Sequence, residues 1–280
     1  MKETVRLRDF FKRYSDEVIT IVGSGGKTSL LWFLARCFAD EGPQAGAFRR
    51  RVLVTTTTKM GAPDYESGLF DHFTNGLSMN TMDTMNIMDA GPMGNVFPPV
   101  VKSGVTFAGC HEAGSTKTTA LPPKTLAFLM RRFDGTLIEG DGSKTLPLKG
   151  WADDEPVVPP STSVTVGVIP VWPLGMPATE AVIHRLPLFC ALTGAGEGDI
   201  LTQAHLAAAI SGRGGTDKRR GLFAAARGKR VLFFNQVEDE DALRQTAEIM
   251  GLLSAAFKAR LDAVIAGSVK QDQVTVLLSR

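Results

Sequence analysis

VITIVGSGGKT, residues Val18 to Thr28, is the stretch on which the fold turns. Four of its first five residues are apolar and mostly β-branched, the composition of a strand buried in a parallel sheet. Gly23, Gly25 and Gly26 then make a tight turn around Ser24. Lys27, Thr28 and Ser29 open a long apolar run with no Gly or Pro before Gly42-Pro43, which predicts a helix and its stop. Strand, glycine turn, Lys-Thr and helix are together the setting of a phosphate loop. Glycines let several N–H groups face one anion. The helix N-terminus adds partial positive charge. Lys27 is expected to reach the outer phosphates of a nucleotide, and the Thr28 hydroxyl to hold Mg²⁺.

The rest of the composition narrows the class. A chain of 280 residues, 44% hydrophobic and 21% charged, suits one large α/β domain spanning 1–280. A net charge of +2 leaves no nucleic-acid footprint; Arg49–Arg51 and Lys218–Arg220 read as solvated basic runs. No apolar signal core or membrane span is present, and Cys37, Cys110 and Cys190 are too far apart for a disulfide framework. These features point to a cytoplasmic protein with no membrane partner.

Along the chain, Met1–Glu17 reads as a short amphipathic helix that packs Phe10, Phe11 and Tyr14 on the core. RVLVTTTTKM is a second strand. Residues 61–103, with a methionine-rich segment at 79–93, read as a flexible insertion. Gly104–Gly109 and GTLIE read as strands, with a helix over Leu121–Phe133 between them. SVTVGVIPV, RVLFFN, DAVIAGS and QVTVLLS are further strands. Helices are expected over Ala178–Leu192, over Leu201–Ile210 with Thr202 as N-cap, and over Glu238–Arg260. Strands alternating with helices predict a mainly parallel sheet with right-handed crossovers.

In such sheets the ligand sits beyond the carboxyl ends of the strands. Thr55, Thr58 and Lys59, in TTTTK after the second strand, are placed to add a hydroxyl to Mg²⁺ or a cation to an anionic ligand. Glu139 and Asp141 end an apolar strand at the Walker B position, where a carboxylate holds Mg²⁺ directly or through water; spacing does not say which acid touches the ion. Asn235-Gln236-Val237-Glu238 falls where GTP-binding proteins place N-K-x-D. Gln236 and Glu238 depart from that motif, so guanine selectivity does not follow. His72, His111, His184 and His205 lack zinc spacing to the cysteines. Nucleophile elbow and G-x-G-x-x-G are both absent from the chain.

Two resemblances extend this reading. The spacing G-x-x-G-K-T is shorter than G-x-x-x-x-G-K-[ST], because Ile21 stands where the longer form needs glycine. It resembles the loop of the Mur-type peptide ligases. IVGSGGKT, VLVTTTTK, LIEGDGSKTLPLKGWADDEPVVPP, VIHRLP and FFNQVED, in this order, resemble the YqeC-type family, described as selenium-dependent hydroxylase accessory proteins. That resemblance implies a three-layer P-loop NTPase-like fold and a link to the maturation of molybdenum-containing hydroxylases. By position it assigns Gly23, Gly25, Gly26, Lys27 and Thr28 to the phosphate site, flanked by Ser24 and Ser29. Thr55, Thr58 and Lys59 would line it, with Glu139, Asp141 and Ser143 opposite. It also marks Lys149, Glu155 and Pro156 as either a substrate or partner loop or a structural one. His184 and Arg185 match a recurrent pair; Arg185 is either a phosphate or acceptor contact or half of a buried ion pair.

The function expected from these readings is ATP or GTP binding and Mg²⁺-dependent hydrolysis, with a molybdenum hydroxylase or its cofactor as client. The rivals are a Mur-like ligase or kinase of a small acid, and a non-catalytic scaffold gated by nucleotide.

Overall fold

A computed structural model describes residues 3–40, 49–62, 64–76, 103–212 and 221–280. In chain order the first elements are β1 (Glu3–Arg6), α1 (Leu7–Phe11), β2 (Val18–Gly23), α2 (Lys27–Asp40), β3 (Arg51–Thr56), β4 (Lys59–Gly61), β5 (His72–Asn75), β6 (Gly104–Gly109) and β7 (Lys117–Thr119). Next come α3 (Pro123–Met130), β8 (Gly135–Glu139), β9 (Leu148–Lys149), β10 (Val164–Pro170), β11 (Ile183–His184), α4 (Leu186–Thr193) and α5 (Gln203–Ser211). The last are β12 (Lys229–Asn235), α6 (Glu240–Leu252), α7 (Ala255–Lys258), β13 (Ala263–Ser268) and β14 (Gln273–Ser279).

Among the described residues, ten strands form one sheet in the order β1-β14-β13-β12-β10-β2-β8-β3-β6-β5. From β5 to β13 the neighbours are parallel; β14 and β1 add an antiparallel edge. Helices cover both faces, so the strands are apolar throughout rather than alternating. On one face Ile19, Ile21, Val54, Leu137, Val166 and Phe233 pack against Phe10 and Phe11 of α1 and Leu30, Leu34 and Phe38 of α2. On the other, Val22, Ile169, Leu232 and Phe234 meet Phe189 of α4, Leu206 of α5 and Ile249 of α6. Leu53 and Ala108 face Leu126 and Leu129 of α3 in a smaller cluster. This is an α/β architecture with a three-layer, P-loop-like arrangement, as expected. Among the described residues no helix is long and apolar enough to cross a membrane.

Four local readings are corrected. The N-terminal segment begins as a strand, because Glu3–Arg6 pair with Gln273–Val276, a partner supplied by the far end of the chain. Phe10, Phe11 and Tyr14 are nevertheless buried as expected. Ala178–Leu192 is helical only from Leu186, because Arg185 turns the chain at φ +58° and Ile183–His184 pair with Leu148–Lys149. Glu238–Arg260 breaks after Leu252, where Ser254 accepts from Phe257 N–H and caps a new helix. The supposed insertion contributes an edge strand, since His72–Asn75 pair with β6; its methionine-rich part, 79–93, lies outside the described residues. Thr202 caps α5 as read, in a box with His205.

Phe233 sits fully buried in the middle of β12. Phe233→Ala is expected to cost about 3–5 kcal/mol through lost burial and the cavity left behind. The measurement is the urea midpoint of unfolding, which falls while the slope stays constant.

Candidate phosphate-loop site

β2 ends at the sheet centre between β8 and β10, and the glycine turn rises from its carboxyl end. Gly23 takes φ +101°, and a Cβ there would lie 2.2 Å from Val168 O. Gly26 takes φ +113°, and its Cβ would lie 2.2 Å from Asn235 Nδ2. Both positions therefore exclude any side chain. Ser24 is buried and its N–H donates to Val168 O at 3.0 Å, which ties the turn to β10. Helix α2 begins at Lys27, so the N–H groups of its first turn have no partner within the helix. Thr28 and Ser29 are exposed at that end.

Lys27 is buried and folds back over the turn. Its Nζ donates to Gly23 O at 2.7 Å, and lies 3.5 Å from Asp141 Oδ1 and 4.0 Å from Glu139 Oε1. Thr28 Oγ1 donates to Glu139 Oε2 at 2.9 Å. Register explains the meeting: Glu139 pairs with Ile21 in β2 and faces the α2 side of the sheet. Burial pushes the Glu139 carboxyl above its ordinary value; Asp141 adds to this, while Lys27, Thr28 and Lys117 oppose it.

Asp141, fully buried, is engaged differently. Both its oxygens accept from Gly23 N–H, at 3.0 and 3.1 Å. Oδ2 also accepts from Lys149 Nζ at 3.1 Å and Trp151 Nε1 at 3.0 Å. Lys149 donates onward to Gly142 O and Glu155 Oε2, both at 2.7 Å, and Arg185 pairs with Glu155. Burial works to raise the Glu155 carboxyl, but hydrogen bonds from Arg185 and Lys149 hold it below its ordinary value. Burial, then Arg185, Lys149 and Lys144, lowers the His184 pKa against the opposing charge of Glu155. Lys149, Glu155 and Arg185 are thus one ion-pair network that reaches the glycine turn through Asp141.

The threonine run divides between the two faces. Thr55 lies on the α3 side with Leu53, away from Lys27, and its buried Oγ1 has no partner among the described residues. Thr56, which the sequence reading passed over, donates to Glu139 O at 3.0 Å. Thr58 Oγ1 is buried and unpartnered among the described residues, next to the Thr57 N–H bond to Glu139 O. Lys59 is exposed on the small antiparallel sheet of β4 and β7, opposite Thr119. Ser143 contributes its carbonyl to Leu146 N–H. Asn235 Nδ2 donates to Gly25 O at 2.8 Å, whereas Glu238 accepts from Ser268 Oγ at 2.8 Å. Trp151, Lys117 and Thr56 were missed; only Trp151, two residues from Lys149 in PLKGW, left a local signal.

A hollow of about 880 Å³ runs from Thr28 and Ser29 along α2, past Trp32 and Phe33, with Arg8, Lys12, Arg36, Asp9 and Asp40 at its sides. Among the described residues, no group of three or more His, Cys, Asp or Glu could hold a metal ion by itself.

Glycine turn, loop lysine, helix hydroxyl and strand acid, gathered at the centre of a parallel sheet, define a P-loop-like α/β protein. The chain belongs to the YqeC family, whose model, described as YqeC protein, matches residues 19–187. It is 28% identical over 259 residues to the "Uncharacterized protein YqeC" of Escherichia coli strain K12, covering 91% of this chain and 88% of that one. No solved structure matches the chain.

Two substitutions probe the acids. Asp141→Ala takes one carboxylate from buried Lys149, which keeps Glu155 and Gly142 O, and leaves the Gly23 and Trp151 N–H groups without an acceptor; it is expected to cost about 3–5 kcal/mol in chemical unfolding. For Glu139 the sign follows from its raised pKa. Its favourable contribution is full below the unfolded-state value and is lost as pH rises through the folded-state value. Glutamine does not titrate. The melting temperature of Glu139→Gln in metal-free buffer is therefore expected to gain on wild type as pH rises above the ordinary glutamate range; a constant difference would contradict the assignment.

Proposed function

We propose that this protein binds ATP or GTP with Mg²⁺ and hydrolyses it in support of the maturation of molybdenum-containing hydroxylases. The hydroxylase link rests on family resemblance alone. The observation that carries the nucleotide reading is the meeting of Lys27, Thr28 and Glu139: a buried lysine and a helix hydroxyl converge on one strand-end acid beside a glycine turn.

Each residue then has a task. The N–H groups at the start of α2 hold phosphate oxygens. Lys27 exchanges Gly23 O for a charged phosphate, a stronger charge-assisted partner. Thr28 and Glu139 would hold Mg²⁺, whose donors are oxygens and which commonly binds one or two carboxylates plus substrate phosphates. Thr58 Oγ1, buried with no partner among the described residues and one residue from the Thr57 N–H that donates to Glu139 O, would suit a hydrated ion there. When bound, Mg²⁺ neutralises charge on the outer phosphates. We assign Glu139 rather than Asp141 to the ion, because Asp141 is occupied by Gly23, Lys149 and Trp151. Asp141 holds the loop in shape.

A second reading, transfer of phosphate to an acceptor, rests on the hollow beside Thr28, which Arg8, Lys12 and Arg36 line together with Asp9 and Asp40. Turnover that appears only when a small acid is added would select that reading over hydrolysis.

The test is a thermal-shift panel of nucleoside triphosphates with Mg²⁺. Ligand at 100 times its Kd stabilises the fold by about 2.7 kcal/mol, which is read as a rise in melting temperature. Lys27→Ala is expected to abolish the rise while its circular dichroism matches wild type. No shift in the wild-type protein with any triphosphate, or an equal shift in Lys27→Ala, overturns the proposal.

A further inference from the structure

Beside the phosphate loop, the carboxyl ends of β10, β12 and β13 gather a second set of polar groups. Asn235 uses both ends of its amide: Nδ2 donates to Gly25 O at 2.8 Å, and Oδ1 accepts from Val269 N–H at 3.3 Å. It thereby links the loop to the segment that follows β13. Glu238 is exposed three residues later, and its Oε1 accepts from Ser268 Oγ at 2.8 Å. Its Oε2 has no protein partner among the described residues. Trp172, which follows β10, is 48% exposed. Its Nε1 donates to Gln236 Oε1 at 2.9 Å, and Gln236 is turned toward it at φ +62°.

We propose that this group is a nucleobase site that selects guanine, with Glu238 as the specificity-determining carboxylate. The proposal rests on the phosphate-loop reading and extends it to the other end of the nucleotide. Asn235 sets the distance between the two ends, since one side chain holds Gly25 and Val269 together. Ser268 fixes one oxygen of Glu238 and leaves the second facing outward.

The chemistry of the base edges gives the selectivity. A carboxylate only accepts hydrogen bonds. Guanine presents two donors side by side, N1–H and the C2 amino group, and satisfies the carboxylate. Adenine presents an acceptor at N1, so a lone pair would face the charged oxygen. A site built around such a group rejects the base that leaves it unpaired. The indole of Trp172 offers a flat surface on which a purine stacks. Gln236 and Glu238 depart from N-K-x-D in sequence. In the structure, however, Gln236 is drawn to Trp172 and a carboxylate is still presented at the fourth position.

Calorimetry on the full chain with Mg²⁺ tests this with four ligands: GDP, ADP, xanthosine diphosphate and inorganic pyrophosphate. GDP is expected to bind at least about 100-fold more tightly than ADP. Glu238→Gln should lose that preference and leave pyrophosphate affinity within about twofold. It should also bind xanthosine diphosphate at least about tenfold more tightly than wild type does, because its amide N–H meets the C2 oxygen that replaces the amino group. A merely structural role for Glu238 would not produce that gain. Equal affinity of the wild-type protein for GDP and ADP overturns the base assignment while the phosphate reading stands, and that result does not depend on the variant folding. Failure of all four ligands, pyrophosphate included, overturns the phosphate reading and this inference with it. A GDP preference that survives unchanged in Glu238→Gln removes the role from Glu238 and overturns the proposal.

Discussion

Gly23 N–H donates to a carboxylate that solvent cannot reach, and the arrangement of the site depends on that bond. A buried charge is costly unless it is paired and hydrogen-bonded. Asp141 meets the requirement with one backbone N–H, one indole N–H and two lysines nearby. Each partner is then constrained in turn. Gly23 must hold the first bend of the loop, Lys27 must lie across it, and Lys149 must stay inside the fold, where Glu155 and Gly142 O take its remaining protons. Three cations, Lys27, Lys149 and Arg185, stand among three acids, Glu139, Asp141 and Glu155. The loop is shaped by the protein's own groups, so the entropy of ordering it is met on folding.

Sheet topology turns this local device into a site. The turn emerges from a central strand, with the β8 acids on one side and the β10 and β12 ends on the other. In open parallel sheets these carboxyl ends are where ligands bind. Asn235 and Glu139 therefore reach the loop from opposite flanks, although 96 residues separate them in the chain (235 − 139).

Three titratable groups around the turn, Glu139, Glu155 and His184, differ through their neighbours. Glu139 and Glu155 are both penalised by burial, yet one is raised and the other lowered. Two strong hydrogen-bonded cations, Lys149 and Arg185, decide the sign at Glu155. Glu139 has one hydroxyl donor, a lysine 4.0 Å away and the more distant charge of Lys117, so desolvation wins. Asp141 differs from Glu139 in its partners: Gly23 N–H, Trp151 Nε1 and Lys149 all donate to it.

Local pattern in the sequence was sufficient for the strand-turn-helix of Val18–Asp40, for the runs that became β3, β6, β8, β10, β12, β13 and β14, and for the acids at the end of β8. Those features depend on backbone preferences and on burial of both sheet faces, which neighbouring residues reveal. Tertiary structure decided what needed a distant partner. The pairing of Glu3–Arg6 with the last strand, the start of the helix after Arg185, the separation of Thr55 from Thr56 by sheet face, and the different work of Glu139 and Asp141 are of this kind. Spacing along a chain does not specify which oxygen is buried or what donates to it. A charge inside a protein takes its role from the groups that surround it in space, and for Asp141 these come from Gly23, Lys149 and Trp151, brought together only by the closed fold.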